Sequence, residues 1–470
     1  MMIVDLKPYR AMKDSGVPWL GEVPEHWDAP RLKTLFREVD RRSGTGEEPL
    51  LSLRMQQGLV DHHVTGGTPI PPSSLIHYKR TQPDDIVMNR MRAAAGLFAV
   101  TPTVGLVSPD YAVLRPRTLV DVQYFVYLFR TPLMMSVFRL ESRGLGTGES
   151  GFLRLYTERF GMLAAPVPPH GEQSAIVRFL NHADRLIRRY ISAKQKLIKL
   201  LEEQRQAIMH RAVTRGLDPN VRLKPSGVEW LEEVPEHWEV MLNQRILKEK
   251  IRPHGGRPET QLSLSQRDGL IATSDMQERS MQTSSYDSWK LAIPGDLVVN
   301  RFKAHLGVFF ASSLRGIVSF HYGVFAPRRK LVTKYFELLY HTNSYKTIFA
   351  GRSNGMTVGL QNLSNQNFYS VRSIVPPCDE QLAIVAFAET ATQRLTKTIE
   401  ASRREIALLR EYSTRLIADV VTGKLDVRDA AVGLPDETDQ SDEFGEADSV
   451  LDDEPEEDAD AETVANEAEG

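Results

Sequence analysis

Cysteine is almost missing from this chain: Cys378 is the only one among 470 residues. A lone thiol excludes a disulfide framework and every site built from several thiolates, and it fits a reducing compartment. Long apolar runs are missing too, since no stretch approaches the roughly 20 residues that span a bilayer. The opening Met1-Met2-Ile3-Val4-Asp5-Leu6-Lys7-Pro8 lacks the basic-then-apolar order of a secretory signal. A soluble, cytoplasmic protein is expected.

Catalytic signatures are equally scarce. The chain has no Gly-x-x-x-x-Gly-Lys-Ser/Thr phosphate loop, no His-Glu-x-x-His zinc pair, no Gly-x-Ser-x-Gly elbow and no Asn/Asp-Pro-Pro-Tyr box. Gly144-Leu145-Gly146-Thr147-Gly148 has the look of a phosphate-cradling turn, but without a lysine or a clear preceding strand it reads as a loop. His62-His63 has only Asp61 nearby and no thiolate, so no metal site is expected there. Cys378, with no histidine partner evident, reads as a small residue at the start of a helix.

Lysine and arginine are absent from residues 436 to 470, which hold 17 Asp and Glu. The formal charge of −3 therefore hides a body, residues 1 to 435, with 58 basic against 44 acidic residues, a net +14. Such a body suits a polyanionic partner, because neutralising phosphates releases condensed counterions; a merely soluble surface is the other reading. The acidic tail is expected to be disordered, with solubility as its plainest role.

What the chain does have is itself, twice. Ser15-Gly16-Val17-Pro18-Trp19-Leu20-Gly21-Glu22-Val23-Pro24-Glu25-His26-Trp27 returns at Ser226–Trp238 with eleven of thirteen residues identical at an offset of 211. The same offset pairs Pro83, Asp85, Val87, Asn89, Arg90 and Gly96 with Pro294, Asp296, Val298, Asn300, Arg301 and Gly307. Between Gly144/Gly355 and the proline pairs Pro168-Pro169/Pro376-Pro377 the offset falls to 208, so three residues differ in a loop. Each half is thus a globular unit followed by one long helical segment.

Short alternating stretches such as Asp85–Met88 and Asp296–Val299, bounded by Pro, Gly and Asp, predict strands. The wider apolar spacing of Tyr124–Phe138 and Tyr335–Phe349 predicts a helix in each half. Beyond the proline pairs, Ile176, Leu180, Ala183, Ile187, Tyr190, Leu197, Leu201 and Ile208 recur at spacings of three and four, as do Leu395, Ile399, Ile406, Leu409 and Leu416. A stripe sustained this long is a coiled-coil seam, and two stripes in one chain can cover each other. The fold class expected is α+β: two similar mixed α/β heads, each followed by a long helix, the two helices packing as an antiparallel coiled coil. A helix of about 44 residues would be about 65 Å long.

Nucleic-acid contacts are best sought at Asn89-Arg90-Met91-Arg92 and Asn300-Arg301-Phe302-Lys303, each on a turn after a predicted strand. Asn and Arg pair in bidentate fashion with base edges, and Arg and Lys grip phosphates. Tyr78-Lys79-Arg80 and Trp289-Lys290 add aromatic and basic groups at aligned positions. Ion pairing of these charges with carboxylates is the competing structural explanation. The repeated Trp19/Trp27 and Trp230/Trp238 stand in the segment common to both halves, which favours a clasp over a source of distinct specificities.

These residues resemble a known family, the specificity subunit of type I restriction-modification enzymes. The likeness covers the chain to about residue 428: the Ser-Gly-Val-x-Trp-Leu opening of each half with its Val-Pro-Glu-His-Trp end, the Pro-x-Asp-Leu/Ile-Val-x-Asn-Arg core, and the Pro-Pro-x-x-Glu-Gln start of each long helix. The resemblance implies target-recognition domains at 1–170 and 218–378, spacer helices at 171–217 and 379–427, and a disordered acidic tail at 428–470 that lies outside the family pattern. It implies a non-catalytic subunit that reads an asymmetric, bipartite double-stranded DNA target and docks modification (methyltransferase) and restriction (motor and nuclease) subunits. No cofactor is expected on this chain; S-adenosylmethionine, ATP and magnesium belong to the partners. The runner-up is a two-headed adaptor that binds protein, and a third reading is a self-contained nuclease or methyltransferase with a degenerate site.

Overall fold

The computed structural model describes residues 6–434 apart from 66–69, 146–151, 254–258, 267–268, 277–287 and 358–359. The acidic segment from 435 onward and the Gly146-Thr147-Gly148 part of the glycine loop lie outside the described residues.

Four short antiparallel strands organise the first head: β1 (Phe36–Glu38), β2 (Ile86–Asn89), β3 (Phe98–Val100) and β4 (Tyr111–Pro116), in the order β1-β4-β2-β3. Strand β2 is apolar at three successive positions because both of its faces are covered. Ile86 and Met88 point into the main core, while Val87, on the opposite face, joins Leu51, Leu53 and Leu59 of a hairpin in a second cluster. Behind the sheet lie α1 (Val122–Phe129) and α2 (Pro132–Glu141). The single helix expected over 124–138 is therefore two. Pro132 opens α2 at its first turn, and Thr131 accepts a hydrogen bond from the Met134 N–H, so the chain caps a new helix where it could not continue the old one.

Helix α3 (His170–Arg215) comes next, and then the arrangement repeats. The second head has β5 (Leu247–Glu249), β6 (Leu297–Asn300), β7 (Phe309–Ala311) and β8 (Tyr322–Pro327), ordered β5-β8-β6-β7, with α4 (Thr333–Tyr340) and α5 (Asn343–Arg352). Every one of these strands sits 211 residues after its counterpart. The three-residue difference falls inside a hairpin, between Arg143–Leu145 and Phe152–Arg154 in one head and Asn354–Thr357 and Leu360–Asn362 in the other. Helix α6 (Cys378–Val421) and the short α7 (Arg428–Val432) complete the described chain. Residues 428–434, expected in the disordered tail, belong instead to the first core, with Ala431 buried and Leu434 packed on it.

The chain divides into two compact units that do not follow the expected domain boundaries. One is Met1–Lys194 with Arg404–Gly470, the other Gln195–Arg403, so each long helix contributes one half to each unit. In the first unit Ile176, Leu180 and Ala183 of α3 share a core with Leu416, Val420 and Val421 of α6, and Lys194 meets Glu405 at 2.6 Å. In the second, Ala212 and Val213 share a core with Ile384 and Ala388, and Glu202 meets Arg403 at 2.7 Å. Rising numbers on α3 meet falling numbers on α6, so the helices pack antiparallel.

The seam on α3 departs from the heptad expectation. Ile187 is buried, but Tyr190 is 61% and Leu197 39% exposed, while Ile191 is buried and Ile198 half-buried in their stead. Leu201 and Ile208 are half-buried. A straight α-helix of 3.6 residues per turn drifts about 20° per heptad from a 3.5-residue repeat, which moves the inward positions one residue along. On α6, Ile399, Ile406 and Leu416 are buried and Leu395 and Leu409 half-buried.

Candidate nucleic-acid interface

The repeated tryptophan segment clasps the start of its long helix. Glu172 of α3 accepts hydrogen bonds from the buried Trp27 indole at 3.1 Å and from Tyr9 at 2.5 Å, and pairs with His26 at 2.8 Å. Glu380 of α6 likewise takes Trp238 at 2.9 Å and His237 at 2.7 Å. The adjoining glutamines lock the same corner: Gln173 bonds the Pro168 carbonyl and the Asp121 N–H, and Gln381 the Pro376 carbonyl and the Val332 N–H. Each head also holds the far end of the other long helix. Tyr124 donates to the carbonyl of Val421 at 3.0 Å and Tyr335 to that of Val213 at 2.8 Å, satisfying last-turn carbonyls that lack helical partners.

The two Asn-Arg turns are built alike. Asn89 is buried at the end of β2, and its side-chain oxygen accepts the N–H groups of Met91 and Arg92 at 3.0 and 3.2 Å; Asn300 accepts that of Phe302 at 3.1 Å. A single 3-10 turn comes after it and closes on Gly96 or Gly307, each at φ +81°, a conformation that costs glycine no Cβ clash.

Most of the expected contact residues turn inward. Lys79, 2% exposed, donates to Glu38 at 3.1 Å and to the Tyr111 carbonyl at 2.8 Å, and Arg90 binds the same Glu38. Lys290 and Arg301 repeat this on Glu249 at 3.2 and 2.6 Å, with the Tyr322 carbonyl and Asn365 as further acceptors at 2.8 Å each. Burial would raise the Glu38 carboxyl, but a hydrogen bond from Thr157 and the charges of Arg90 and Lys79 outweigh it and hold it below its ordinary range. These are partly buried ion triads. Asn89, Lys79, Lys290 and Asn300 are buried and bonded within the framework. Arg80 is half-buried and pairs with Glu48 at 3.3 Å; Tyr78 and Trp289 are half-buried.

What the turns leave exposed is different in the two heads. Arg92 and Met91 stand out in the first, Lys303 in the second. Beside the first turn Arg154 lies 5.6 Å over the ring of Tyr156 and pairs with Asp110 at 3.3 Å. Beside the second, Phe302 and the exposed Phe320 flank His321 at ring distances of 5.3 and 3.8 Å. The residues at those places in the first head are Met91, Pro109 and Asp110. Here a common, internally paired scaffold carries dissimilar tips. The hub glutamates Glu38 and Glu249 were not singled out from sequence, and the clasp glutamates Glu172 and Glu380 were read only as part of the Pro-Pro-x-x-Glu-Gln start of each long helix, although each recurs in the repeat, and that recurrence was the available signal.

A pocket of about 470 Å³ lies in the first unit among Gln57, Tyr127, Arg130, Asp184 and Arg188. No group of three or more His, Cys, Asp or Glu side chains able to hold a metal occurs among the described residues, and His62 bonds Ser52 at 2.9 Å. Among those residues no helix is long and apolar enough to cross a membrane.

No family model matches the sequence. Among solved structures, a chain from work on complex assembly and conformational transition of the type I R-M system aligns over 86% of this chain and 99% of its own, at TM-score 0.63 and 15% identity. This chain shares the fold of that restriction-modification component. The HsdS subunit from Thermoanaerobacter tengcongensis aligns over 86% and 98% at TM-score 0.46 and 17% identity. The S subunit of a type I system from M. genitalium aligns over 84% and 96% at TM-score 0.34 and 11% identity. The likeness in fold rests on the first of the three, and nearly the whole of that chain has its counterpart here.

Proposed function

We propose that this chain is the specificity subunit of a type I restriction-modification complex, a cytoplasmic protein that reads an asymmetric, bipartite DNA target and performs no chemistry itself. The observation that carries the reading is the pair of turns: one framework of Asn, Lys, Arg and Glu built twice, with different side chains exposed at each tip. Two readers of the same build and unlike tips recognise two unlike half-sites. The net charge of +14 on residues 1 to 435 supports a polyanionic partner. Exposed apolar side chains on the long helices, among them Tyr190, Leu200, Leu382 and Leu408, support docking of methyltransferase and motor-nuclease subunits there. Those partners supply the sites for S-adenosylmethionine, ATP and magnesium.

Mapping methylated adenines across the genome with and without this gene tests the reading. The expected result is loss of methylation at one interrupted, non-palindromic motif. An unchanged methylome, together with binding whose affinity is flat in salt, would instead favour a two-headed protein adaptor. Turnover of DNA by the purified chain with magnesium and S-adenosylmethionine would point to an enzyme.

A further inference from the structure

One turn is built in both heads with opposite chemistry at its corner. In the second head the chain enters β8 through residues 319–322, where the Tyr322 N–H donates to the Ser319 carbonyl at 2.9 Å and the His321 N–H to the Ser319 hydroxyl at 3.4 Å. The first head makes the same turn over residues 108–111, with the matching bonds at 3.1 and 3.4 Å. Its corner holds Pro109 and Asp110, which suit a turn: proline presets the backbone, and a short carboxylate stays in water. The second head has Phe320 and His321 at these places. Neither helps the turn to form, and Phe320 is left 45% exposed, an apolar ring kept in contact with water. The ring is also held in position. His321 lies against it with ring centres 3.8 Å apart, and Phe302 backs His321 at 5.3 Å. Phe302 belongs to the Asn300-Arg301-Phe302-Lys303 turn, whose Asn300 stands opposite Tyr322 in the ladder of β6 and β8. The three rings thus form a row leading out from that turn, which also exposes Lys303. Having His321 where the first head has Asp110 takes a carboxylate off the corner and lets it approach a phosphate backbone.

We propose that Phe320 is a base-reading residue, whose open face packs against the 5-methyl group of a thymine in the major groove of the half-site bound by the second head. A benzene ring offers no hydrogen bond, and among the groups that base edges display in that groove the thymine methyl is the apolar one. A wedge driven between two base pairs needs both faces of the ring bare, and His321 lies against one of them. The first head, with Pro109 and Asp110 at the same corner, lacks this contact and reads its half-site by other means. The inference rests on the proposed function and deepens it, since it names one base that one head recognises and the side chain that does so.

The test uses the full chain and duplexes carrying the interrupted motif that methylome mapping identifies. Each thymine of either strand is replaced in turn by deoxyuridine, which removes the methyl group and leaves the pairing edge intact. One replacement, in one half-site, should weaken binding about three- to tenfold, the order expected for burying a single methyl group. Phe320→Ala should weaken binding to the unmodified duplex by a similar factor and should be indifferent to that same replacement, because the two changes remove opposite sides of one contact. Phe320 is exposed on a turn, so the variant should keep its fold, which circular dichroism checks, and the scan on the unaltered chain needs no variant. If no replacement affects the unaltered chain, or if the sensitive position stays sensitive in Phe320→Ala, the proposal is overturned while the reading of DNA stands. If the chain does not prefer the motif over a scrambled duplex at any salt, the proposed function itself fails and this inference falls with it.

Discussion

The two clasps that join head to helix differ in one residue, and that residue changes how deeply the carboxylate is buried. Glu172 has three donors around it and a side chain 6% exposed, whereas Glu380 has two donors and is 38% exposed. The third donor is Tyr9, whose repeat partner is Asn220. Burial and the adjacent Glu172 push the Tyr9 phenol far above its ordinary range, so it stays a hydrogen-bond donor at any working pH. A buried carboxylate is tolerated when its oxygens are fully satisfied, and each added donor permits further exclusion of water. One motif thus yields a sealed joint in the first unit and a wetter one in the second.

Removing the indoles should break both joints hardest. Trp27→Ala and Trp238→Ala each leave a large cavity in a core and a carboxylate short of one donor, and each should cost about 3–5 kcal/mol in urea denaturation. Hydrogen exchange should rise in the unit that holds the altered tryptophan; equal opening of both units would mean that the joints are not local. Glu172→Ala comes next at about 2–3 kcal/mol, because two donors in the core lose their acceptor, against about 1 kcal/mol for the wetter Glu380→Ala. A reversed order would show that burial is not what separates the clasps.

Acid should then reveal the hub of the first head. Because Glu38 is held below its ordinary value of 4.5, its contribution is present above that value and is lost as pH falls through the lowered folded-state value. Urea midpoints of the full chain should drop below about pH 4.5, and Glu38→Gln should remove part of that dependence. The smallest change in stability, within about 0.5 kcal/mol, is expected for Arg92→Ala and Lys303→Ala, which stand exposed. Each should nevertheless weaken binding at one half-site only, measured on duplexes with the other half-site scrambled. Equal loss at both would mean that the tips do not read separately. Arg301→Ala, by contrast, should loosen the second unit as well, since it strips a partner from Glu249.

Duplication, the order head, helix, head, helix, and the three-residue loop difference were all legible in the residues, because a repeat in sequence needs no geometry to be seen. Less legible was the role of polar residues inside the repeat. Lys79, Arg90, Lys290 and Arg301 have the chemistry to hold a phosphate, and only coordinates reveal Glu38 and Glu249 standing 41 and 52 residues earlier in the chain beside them. The seam failed for a different reason. Spacings of three and four satisfy periods of both 3.5 and 3.6, and the choice between them emerges only over several turns of a packed helix, which is why Tyr190 and Leu197 were assigned inward and lie outward.

The amino-acid order alone decided that there are two copies of one unit, each with a long amphipathic helix, because hydrophobic periodicity and repetition are properties of order. Tertiary structure alone decided which compact unit each helix half joins and which charges are consumed internally. Both depend on contacts between residues far apart in the chain, where burial turns a pair of opposite charges from a solvated surface feature into part of the frame.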